Sequence, residues 1–506
     1  KIRQLNEQLV ETGLLFDKNI REDVRRVKLD PAELAGLPED YIRGHKPGPD
    51  GKIEISTDYP DYFPVRSYAR NGEARKKLFM EYMNRGYPQN DEVLRRILVL
   101  RRQLANLLGY ATYADYVTED KMIGSADAAA AFVEKISAAA EARMRRDFAQ
   151  LLARKRQDVP DAERVDPWDS AFLQERVKAE QYGFDSQSVR PYFEYGRVKE
   201  GVLEVTGHLF GIAYRRVTDA PSWHPDVEAW DVLEDGRLLG RIHLDMFPRE
   251  GKYKHYAQFT LASGQRGVRL PEGVLVCNFP RPSPGAPALM EHGDVKTFFH
   301  EFGHALHHVL GGHTRWAAQS GVATEWDFVE APSQMLEEWV WDPDVLARFA
   351  HHVETGEPIP AAQVRRMKAA DEYGKGLMVR QQMFYAATSL ELHRREPDGL
   401  DTTALVAELQ RRYTPFPHVE GTYFQESFGH LDGYSAIYYT YMWSLVIAKD
   451  LFGPFRAAGL MSPEPARRYR RAILEPGGSK PAAELVRDFL GRPHGFEAYA
   501  AWLEAE

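Results

Sequence analysis

The order of apolar and polar positions divides the chain into three stretches. Up to about residue 212, apolar residues recur at spacings of three and four, as in LRRILVLRRQLANLLGY (94–110) and ADAAAAFVEKISAAAEARMRRDFAQLLARK (126–155). This period predicts a stack of antiparallel helices. Between about residues 222 and 279 the period changes to two, with Asp235-Gly236 as a typical hairpin turn, which predicts a small antiparallel sheet. The segment RPSPGAP (281–287) interrupts this pattern, and the rest of the chain is again helical.

These stretches predict a mainly α protein with one β insert. We expect an N-terminal helical region at 1–215, a small β-sheet insert at 216–285 and a second helical region at 286–506. A chain of 506 residues is too long for one ordinary hydrophobic core, so we expect two or three packed units.

The stretch TFFHEFGHALHH (297–308) contains the candidate chemistry. Asp294 as N-cap and Gly311-Gly312 as a stop predict a helix over 295–310. His300 and His304 are four residues apart on one face of that helix, where two imidazoles can share a tetrahedral zinc ion. Glu301 is about 100° further round the axis, the position of a general base for a zinc-bound water.

The alternative to a metal site is a chance occurrence of HExxH, which is more frequent in a chain with 17 histidines. Here the context favours a metal, because an apolar helix rich in phenylalanine would not bury imidazole and carboxylate groups without a partner. The extended motif HExxHxxGxxH is excluded, since the chain has His307 and Leu310 at the relevant positions. We interpret His307 as a residue of the helix surface or as a support for the metal ligands.

A third ligand must then come from a carboxylate further along the chain. The candidates are Glu325, Asp327, Glu330, Glu337 and Glu338. Glu330 is favoured because Pro332 is best tolerated in the first turn of a helix, and a ligand near a helix start can lean over the HExxH helix. Glu337 follows seven residues later and is a plausible partner for a ligating imidazole, and Glu325 is the reserve candidate.

Composition and charge narrow the function classes. The net charge is −9, with 65 basic against 74 acidic residues, which argues against a nucleic-acid partner. No apolar run reaches the 18 residues typical of a membrane span. The single cysteine, Cys277, excludes an intrachain disulfide and a cysteine-ligated metal cluster, and it fits a buried position in a cytoplasmic protein. The chain begins KIRQLNEQLV, without Met or an apolar signal core, so we expect a processed chain or a fragment.

The strings FFHEFGHALHH and WDFVEAPSQMLEEWVW resemble the thimet oligopeptidase family of HExxH zinc peptidases. DYFPVRSYARN, LLGYATYADYV, LDMFPREGKYKH and ILEPGGS extend the resemblance over essentially the whole chain, as far as FLGR at 489–492. The resemblance implies one zinc ion per chain, with Glu301 as base and with His300, His304 and Glu330 as ligands. It also implies two helical lobes flanking a deep substrate channel, with the small sheet near the active site.

The stretch FGHLDGYSAIYYTYMWS (428–444) has two interpretations. The spacing of Tyr434, Tyr438 and Tyr441 predicts one helical face, which by itself is typical of a core stripe. The resemblance implies instead that these residues line the channel, with Tyr434 as the main donor to the oxyanion. It further implies that His430 and Tyr438 are substrate-binding or auxiliary donors and that Tyr441 is a lining residue. We expect Gly433 to act as a hinge.

Three departures from the family pattern stand out. Compared with the family, we expect a further N-terminal helical segment to be missing before KIRQLNEQLV. The number of residues between His304 and Glu330 is one greater than in mammalian members, and the turn HLDGY is one residue shorter than in several members. The sequence still predicts a monomeric zinc-dependent oligopeptidase that hydrolyses internal bonds of short unstructured peptides, with no nucleic-acid or membrane partner. The alternatives are a dipeptidyl carboxypeptidase and, in a different class, a catalytically silent peptide-binding protein. A purely structural zinc is disfavoured, because such sites use four Cys or His ligands.

Overall fold

The computed structural model describes residues 1–282 and 286–505. The protein is mainly helical, as predicted. It divides into two compact units, each drawn from two stretches of chain. The first unit comprises 1–183 and 371–439, and the second comprises 184–370 and 440–505. Among the described residues, every helix is too short or too polar to cross a bilayer.

The first unit contains most of the long helices, and the two helices predicted at 94–110 and 126–155 are confirmed. Its helix α1 (Ile2–Glu22) packs against α5 (Gln89–Leu108), and α7 (Ala126–Asp158) packs against α14 (Lys375–Arg394). A two-stranded antiparallel sheet pairs β1 (Arg26–Leu29) with β2 (Ile53–Ser56). The helices are α1 (Ile2–Glu22), α2 (Glu39–Gly44), α3 (Tyr59–Tyr68), α4 (Gly72–Met83), α5 (Gln89–Leu108), α6 (Tyr113–Thr118), α7 (Ala126–Asp158), α8 (Ser170–Gln181), α14 (Lys375–Arg394), α15 (Thr402–Tyr413) and α16 (His430–Gly433).

The second unit combines a five-stranded sheet with helices. The strands are β3 (Ala213–Val217), β4 (Glu228–Glu234), β5 (Arg237–Asp245), β6 (Ala257–Ala262) and β7 (Glu272–Val276). The helices are α9 (Tyr195–Phe210), α10 (His292–Leu310), α11 (Glu330–Leu336), α12 (Pro343–Leu346), α17 (Thr440–Leu451), α18 (Gly453–Ala458), α19 (Pro463–Tyr469), α20 (Ala482–Leu490) and α21 (Glu497–Glu504). Helix α13 (Ala361–Glu372) runs across the boundary between the two units.

The five-stranded sheet has the order β3-β4-β5-β7-β6. Asp235 and Gly236, with φ of 48° and 80°, form the predicted hairpin turn between β4 and β5. Three strand pairs are antiparallel, but β5 and β7 are parallel, which the sequence pattern did not indicate. The reason is topological: β6 lies at the edge, and β7 returns between β6 and β5 in the direction of β5.

Helix α10 carries the HExxH motif and is buried along most of its length. It begins three residues earlier than predicted, because Glu291 is the N-cap and Asp294 accepts the Glu291 N–H from the third position. It ends at Leu310, followed by Gly311 as predicted. The ring Nε2 of His308 lies 3.2 and 3.0 Å from the carbonyls of Ala262 and Glu272, so the sheet packs against this helix.

The predicted region boundaries near residues 215 and 285 stay predictions. Residue 285 and the middle of the RPSPGAP segment lie outside the described residues.

Candidate metal centre

The two motif histidines face one point in the second unit. Their rings are 5.0 Å apart and nearly perpendicular, at 83°. This arrangement follows from the helix, since residues four apart stand one turn above each other on one face. Their side chains keep exposed fractions of 16% for His300 and 11% for His304, so solvent reaches the imidazoles.

Glu330 completes a group of three ligand atoms. It is the first residue of α11 and is buried, and its Oε2 lies 3.2 Å from Nε2 of His300 and 3.0 Å from Nε2 of His304. One atom from each of these residues lies within 4.8 Å of the other two, and the described residues contain no second such group. Ser333 donates to Glu330 Oε2 over 3.2 Å and so orients the carboxylate.

A glycine that the sequence reasoning did not single out brings α11 this close. A Cβ on Gly303 would lie 2.8 Å from the Cα of Ser333, well inside contact distance. Gly303 lies within the HEFGH motif, between the two histidines, and the close approach of α10 and α11 therefore depends on the missing side chain. The glycine is visible in the motif, but its role in the close packing of α10 and α11 becomes apparent only from the position of α11.

Glu337 supports His300 from the other side of the ring. Its Oε1 lies 2.7 Å from Nδ1 of His300, and its Oε2 lies 3.0 Å from Nζ of Lys296. A carboxylate at Nδ1 fixes the proton there and leaves Nε2 to face Glu330. This is the relation to a ligating imidazole that the sequence predicted for Glu337.

The buried charges at this centre stabilise one another. Burial disfavours charge on His300, but hydrogen bonds to Glu330 and Glu337 outweigh it and raise its pKa well above the usual value. Burial likewise opposes ionisation of Glu330, but His304 and His300 hold its pKa well below the usual range. For Glu337, Lys296 and His300 outweigh burial and lower the pKa to about 2. Two imidazole nitrogens and an ionised carboxylate form a donor set that suits a divalent metal ion, which would take the place of the protons shared between these groups.

Glu301 differs from these carboxylates. It is buried, and burial raises its pKa above the usual value despite the nearby His300 and His304. Its Oε2 has no hydrogen-bond partner among the described residues. An unpartnered carboxylate oxygen beside the ligand group is chemically suited to exchange a proton with a water molecule or a substrate.

The remaining carboxylate candidates have other partners. Both carboxylate oxygens of Glu325 accept the N–H of Ala482 over 3.1 Å at the start of α20. Glu338 pairs with Lys449, and Asp327 is buried and is not part of the ligand group in the described residues. The structure thus brings together His300, His304 and Glu330, and it leaves out the reserve candidate Glu325.

Of the two interpretations of His307, that of a residue of the helix surface is wrong, and that of a support for the metal ligands stays a prediction. Its side chain is fully buried, both ring nitrogens lack a hydrogen-bond partner within the described chain, and burial lowers its pKa to about 3. The helix surface prediction failed because α10 is covered on nearly every side, including by the sheet. Cys277 is fully buried as predicted, and burial raises its pKa.

The tyrosine stretch does not form the predicted single helical face. Helix α16 ends at Gly433, turns follow, and α17 begins only at Thr440, because Ser435 adopts a left-handed φ of 45° that a helix cannot continue through. In the first unit, the His430 ring lies 5.5 Å from that of Tyr434 and 4.9 Å from that of Tyr438. The Tyr438 hydroxyl lies 3.1 Å from Oε1 of Gln382.

Tyr441 belongs to the second unit, where its carbonyl accepts from Nε2 of Gln334 on α11 over 2.9 Å. Gly433 has neither a positive φ nor any atom within 4 Å of an added Cβ, so neither backbone conformation nor crowding requires glycine there. Its hinge role stays a prediction.

Comparison with known proteins agrees with this geometry. Residues 65–504 match the profile of Peptidase family M3. Oligopeptidase A of Escherichia coli K12 is 32% identical over 98% of this chain and 76% of its own length. Dipeptidyl carboxypeptidase of the same organism is 33% identical over 92% of this chain and 70% of its own length. A solved structure of PZ peptidase A with an inhibitor shares the fold, with a TM-score of 0.58, 13% identity, and coverage of 98% of this chain and 75% of that one. The chain therefore belongs to peptidase family M3 and is a metallopeptidase.

Proposed function

We propose that this protein is a zinc-dependent oligopeptidase that hydrolyses internal bonds of short, unstructured peptides. The observation that carries the proposal is the convergence of His300, His304 and Glu330 beside the unpartnered carboxylate of Glu301. Three protein ligands are the set of a catalytic zinc site, which keeps a coordination position open for chemistry. One zinc ion per chain is proposed to bind there.

The chain's own residues supply the remaining steps. Zinc, when bound, acts as a Lewis acid that makes water more acidic and polarises the carbonyl of the bond to be cut. Glu301 accepts a proton from the attacking water and delivers it to the departing amine. A pKa raised by burial suits this role, because the group must take up and release a proton near neutral pH. Glu337 holds the ring of His300 in the required orientation.

The residues of the tyrosine stretch are assigned from the family resemblance. Tyr434 is proposed to donate a hydrogen bond to the carbonyl oxygen as negative charge develops on it, with His430 as an auxiliary donor. Tyr438 and Tyr441 are proposed to bind substrate, and Gly433 to act as the hinge of the turn. A substrate channel that admits only short unfolded peptides, a monomeric state and a cytoplasmic location complete the proposal.

A dipeptidyl carboxypeptidase is the second candidate. It is supported by the 33% identity to the E. coli enzyme of that name, which is as high as the identity to oligopeptidase A. Such an enzyme must also recognise a free C-terminal carboxylate two residues beyond the cut.

Mass spectrometry of the products from peptides of graded length separates these functions. The protein is incubated with the peptides after loading with zinc, and in parallel with a chelator. Internal cuts confined to short peptides and abolished by the chelator are the expected result. Successive release of C-terminal dipeptides would favour the second candidate. Peptides that bind but stay intact with metal-loaded protein would identify a silent peptide-binding protein.

A further inference from the structure

The turn that carries Tyr434 is held by buried side chains from two distant helices of the first unit. In the segment 431–438 the first three residues end α16, and the N–H groups of Tyr434 and Ile437 bond to nearby carbonyls. Other backbone groups of the segment have partners from elsewhere. Those partners are Arg101 on α5 and Ser389 on α14, which are far from the segment in sequence.

Arg101 binds the part of the segment that precedes Tyr434. The residue is only 5% exposed. Its Nη1 donates to the carbonyl of Leu431, and its Nη2 donates to the carbonyl of Asp432 over 2.7 Å. Two consecutive carbonyls are therefore fixed by one planar guanidinium, a geometry that a lysine ammonium does not reproduce.

His393 orients this guanidinium. Its Nε2 accepts from Nη1 of Arg101 over 2.8 Å, so its proton resides on Nδ1, which donates to the carbonyl of Ser389 over 2.7 Å. Burial and the neighbouring Arg101 lower the pKa of His393 to about 3. The imidazole thus stays a neutral acceptor at any pH near neutrality.

Ser389 binds the part of the segment that follows Tyr434. Its hydroxyl donates to the carbonyl of Ser435 over 2.6 Å and accepts the N–H of Tyr438 over 3.2 Å. Ser435 has the left-handed φ of 45°, a conformation that is unfavourable for a residue other than glycine and persists only where its surroundings impose it. The hydroxyl of Ser389 contributes that constraint.

We propose that Arg101 and Ser389 are positioning residues that fix the backbone on both sides of Tyr434 and so set the direction of its hydroxyl. The proposal rests on the proposed function for the role of Tyr434 in catalysis. The hold on the backbone itself does not depend on that role, so the two are tested separately.

The first test is Arg101→Lys with Arg380→Lys as a matched control. Arg380 is 7% exposed and belongs to the same unit. Like Arg101 it donates to backbone carbonyls, in its case those of Ser137, Arg412 and Tyr413. In zinc-loaded protein, Arg101→Lys is expected to lower kcat for a short peptide about 10- to 100-fold with KM little changed, because the oxyanion donor is misplaced. Arg380→Lys should leave kcat within about twofold.

A double-mutant cycle distinguishes positioning from general destabilisation. If Arg101 acts through Tyr434, adding Arg101→Lys to Tyr434→Phe should lower kcat by no more than about twofold further. The proposal would be overturned if the losses of kcat in the two single variants multiplied in the double variant. It would also be overturned if Arg380→Lys lost as much kcat as Arg101→Lys.

Amide hydrogen exchange supplies a measurement that needs no activity. Faster exchange at residues 431–438 in Arg101→Lys, but not in Arg380→Lys, is expected, and unchanged exchange there would overturn the proposal. If the zinc-loaded wild-type protein cleaves no peptide, the proposed function fails, and the exchange result alone decides whether these residues hold the turn.

Ser389→Ala is a milder variant that keeps the test decisive if Arg101→Lys does not fold. It removes only the hydroxyl that bonds Ser435 and Tyr438. Its matched control is Thr388→Val, since Thr388 is equally buried and its hydroxyl has no hydrogen-bond partner in the described residues. Faster exchange at 431–438 and a lower kcat are expected for Ser389→Ala only, and the same behaviour in both variants would overturn the proposal.

Discussion

The metal centre and the tyrosine segment (residues 428–444) bury acidic groups in opposite ways. At the metal centre, Glu330 and Glu337 face imidazole or ammonium groups, which lower their pKa values despite burial. Beside the tyrosine segment in the first unit, burial and the nearby Asp432 raise the pKa of Asp17 to about 7, and burial and Asp91 raise that of Glu426 to about 8. One region therefore keeps its buried carboxylates charged, and in the other region burial shifts the acids toward their neutral form.

The difference follows from the availability of cationic partners. A buried carboxylate ionises only where cationic groups or hydrogen-bond donors repay the loss of water. The metal centre has such partners and is therefore already suited to a divalent cation. In the tyrosine segment the guanidinium of Arg101 donates to the backbone carbonyls of Leu431 and Asp432, whereas burial and neighbouring carboxylates raise the pKa values of Asp17 and Glu426. Glu301 is the exception in the first region, since its pKa is raised and one oxygen is unpartnered in the described residues.

Substitution of Glu301 has the largest expected effect on kcat. Glu301→Gln should lower kcat by about 10²- to 10⁴-fold, because an amide cannot accept the proton of the attacking water. Zinc content should stay at one per chain, because the ligand atoms of the neighbouring residues are untouched. The measurements are kcat on a short peptide and metal content by mass spectrometry. Full activity in a metal-replete Glu301→Gln protein would refute the assignment of the base.

The tyrosine segment gives the second effect. Tyr434→Phe should lower kcat by about 10²- to 10³-fold, the usual loss on removal of one oxyanion donor, with KM nearly unchanged. The matched control is Tyr423→Phe, since Tyr423 belongs to the same unit and stacks on Tyr87 at 3.6 Å. Steady-state kinetics of both variants decide the matter, and equal losses would show that the Tyr434 hydroxyl has no special role.

The same two regions show what the sequence reveals and what it conceals. Helix α10, the spacing of His300 and His304 and the choice of Glu330 follow from local pattern, because helical periodicity and helix starts are local properties. The close approach at Gly303 and the burial of His307 depend on what packs against the helix, so local pattern alone does not predict them.

In the tyrosine segment the local pattern misleads. Spacings of four and three predict a helix, yet the chain turns at Ser435. The hydroxyl of Ser389, on another helix, donates to the carbonyl of Ser435 and so stabilises the turn. The hydrogen bond from Arg101 to Leu431 joins residues that are 330 positions apart, and the local periodicity of the sequence cannot predict such a contact. The parallel pairing of β5 with β7 escapes prediction for the same reason.

A third, smaller effect concerns the orientation of a metal ligand. Glu337→Gln should weaken zinc affinity about 10- to 100-fold, because the amide is a poorer acceptor for the Nδ1 proton of His300. The measurement is competition with a chromophoric chelator at fixed pH. The matched control is Glu338→Gln, since Glu338 pairs with Lys449 and is not part of the ligand group. Affinity losses of equal size in both variants would remove Glu337 from the metal centre.

The last prediction concerns the free energy of unfolding instead of activity or metal affinity, and it tests the buried acids of the first unit. Glu426 is buried, and neither carboxylate oxygen has a hydrogen-bond partner in the described part of the chain. Its pKa is raised to about 8 from an ordinary value of 4.5, so the folded state holds a proton that the unfolded state releases between these two values. Wild-type stability should therefore fall as pH rises from about 4.5 to 8, whereas Glu426→Gln, which stays neutral, should lose less.

Urea unfolding at two pH values measures this difference. Glu426→Gln should be about 2 to 4 kcal/mol more stable than wild type at pH 7.5 and about equal to it at pH 4.5, because each pH unit between the two pKa values corresponds to about 1.4 kcal/mol. Glu420→Gln is the control, because Glu420 is exposed on the same stretch of chain and should have the wild-type pH profile. If Glu426→Gln is destabilised equally at both pH values, Glu426 is ionised in the folded protein, and the contrast between the two regions does not hold. If it gains stability only at the higher pH, burial without a cationic partner is what keeps this acid neutral.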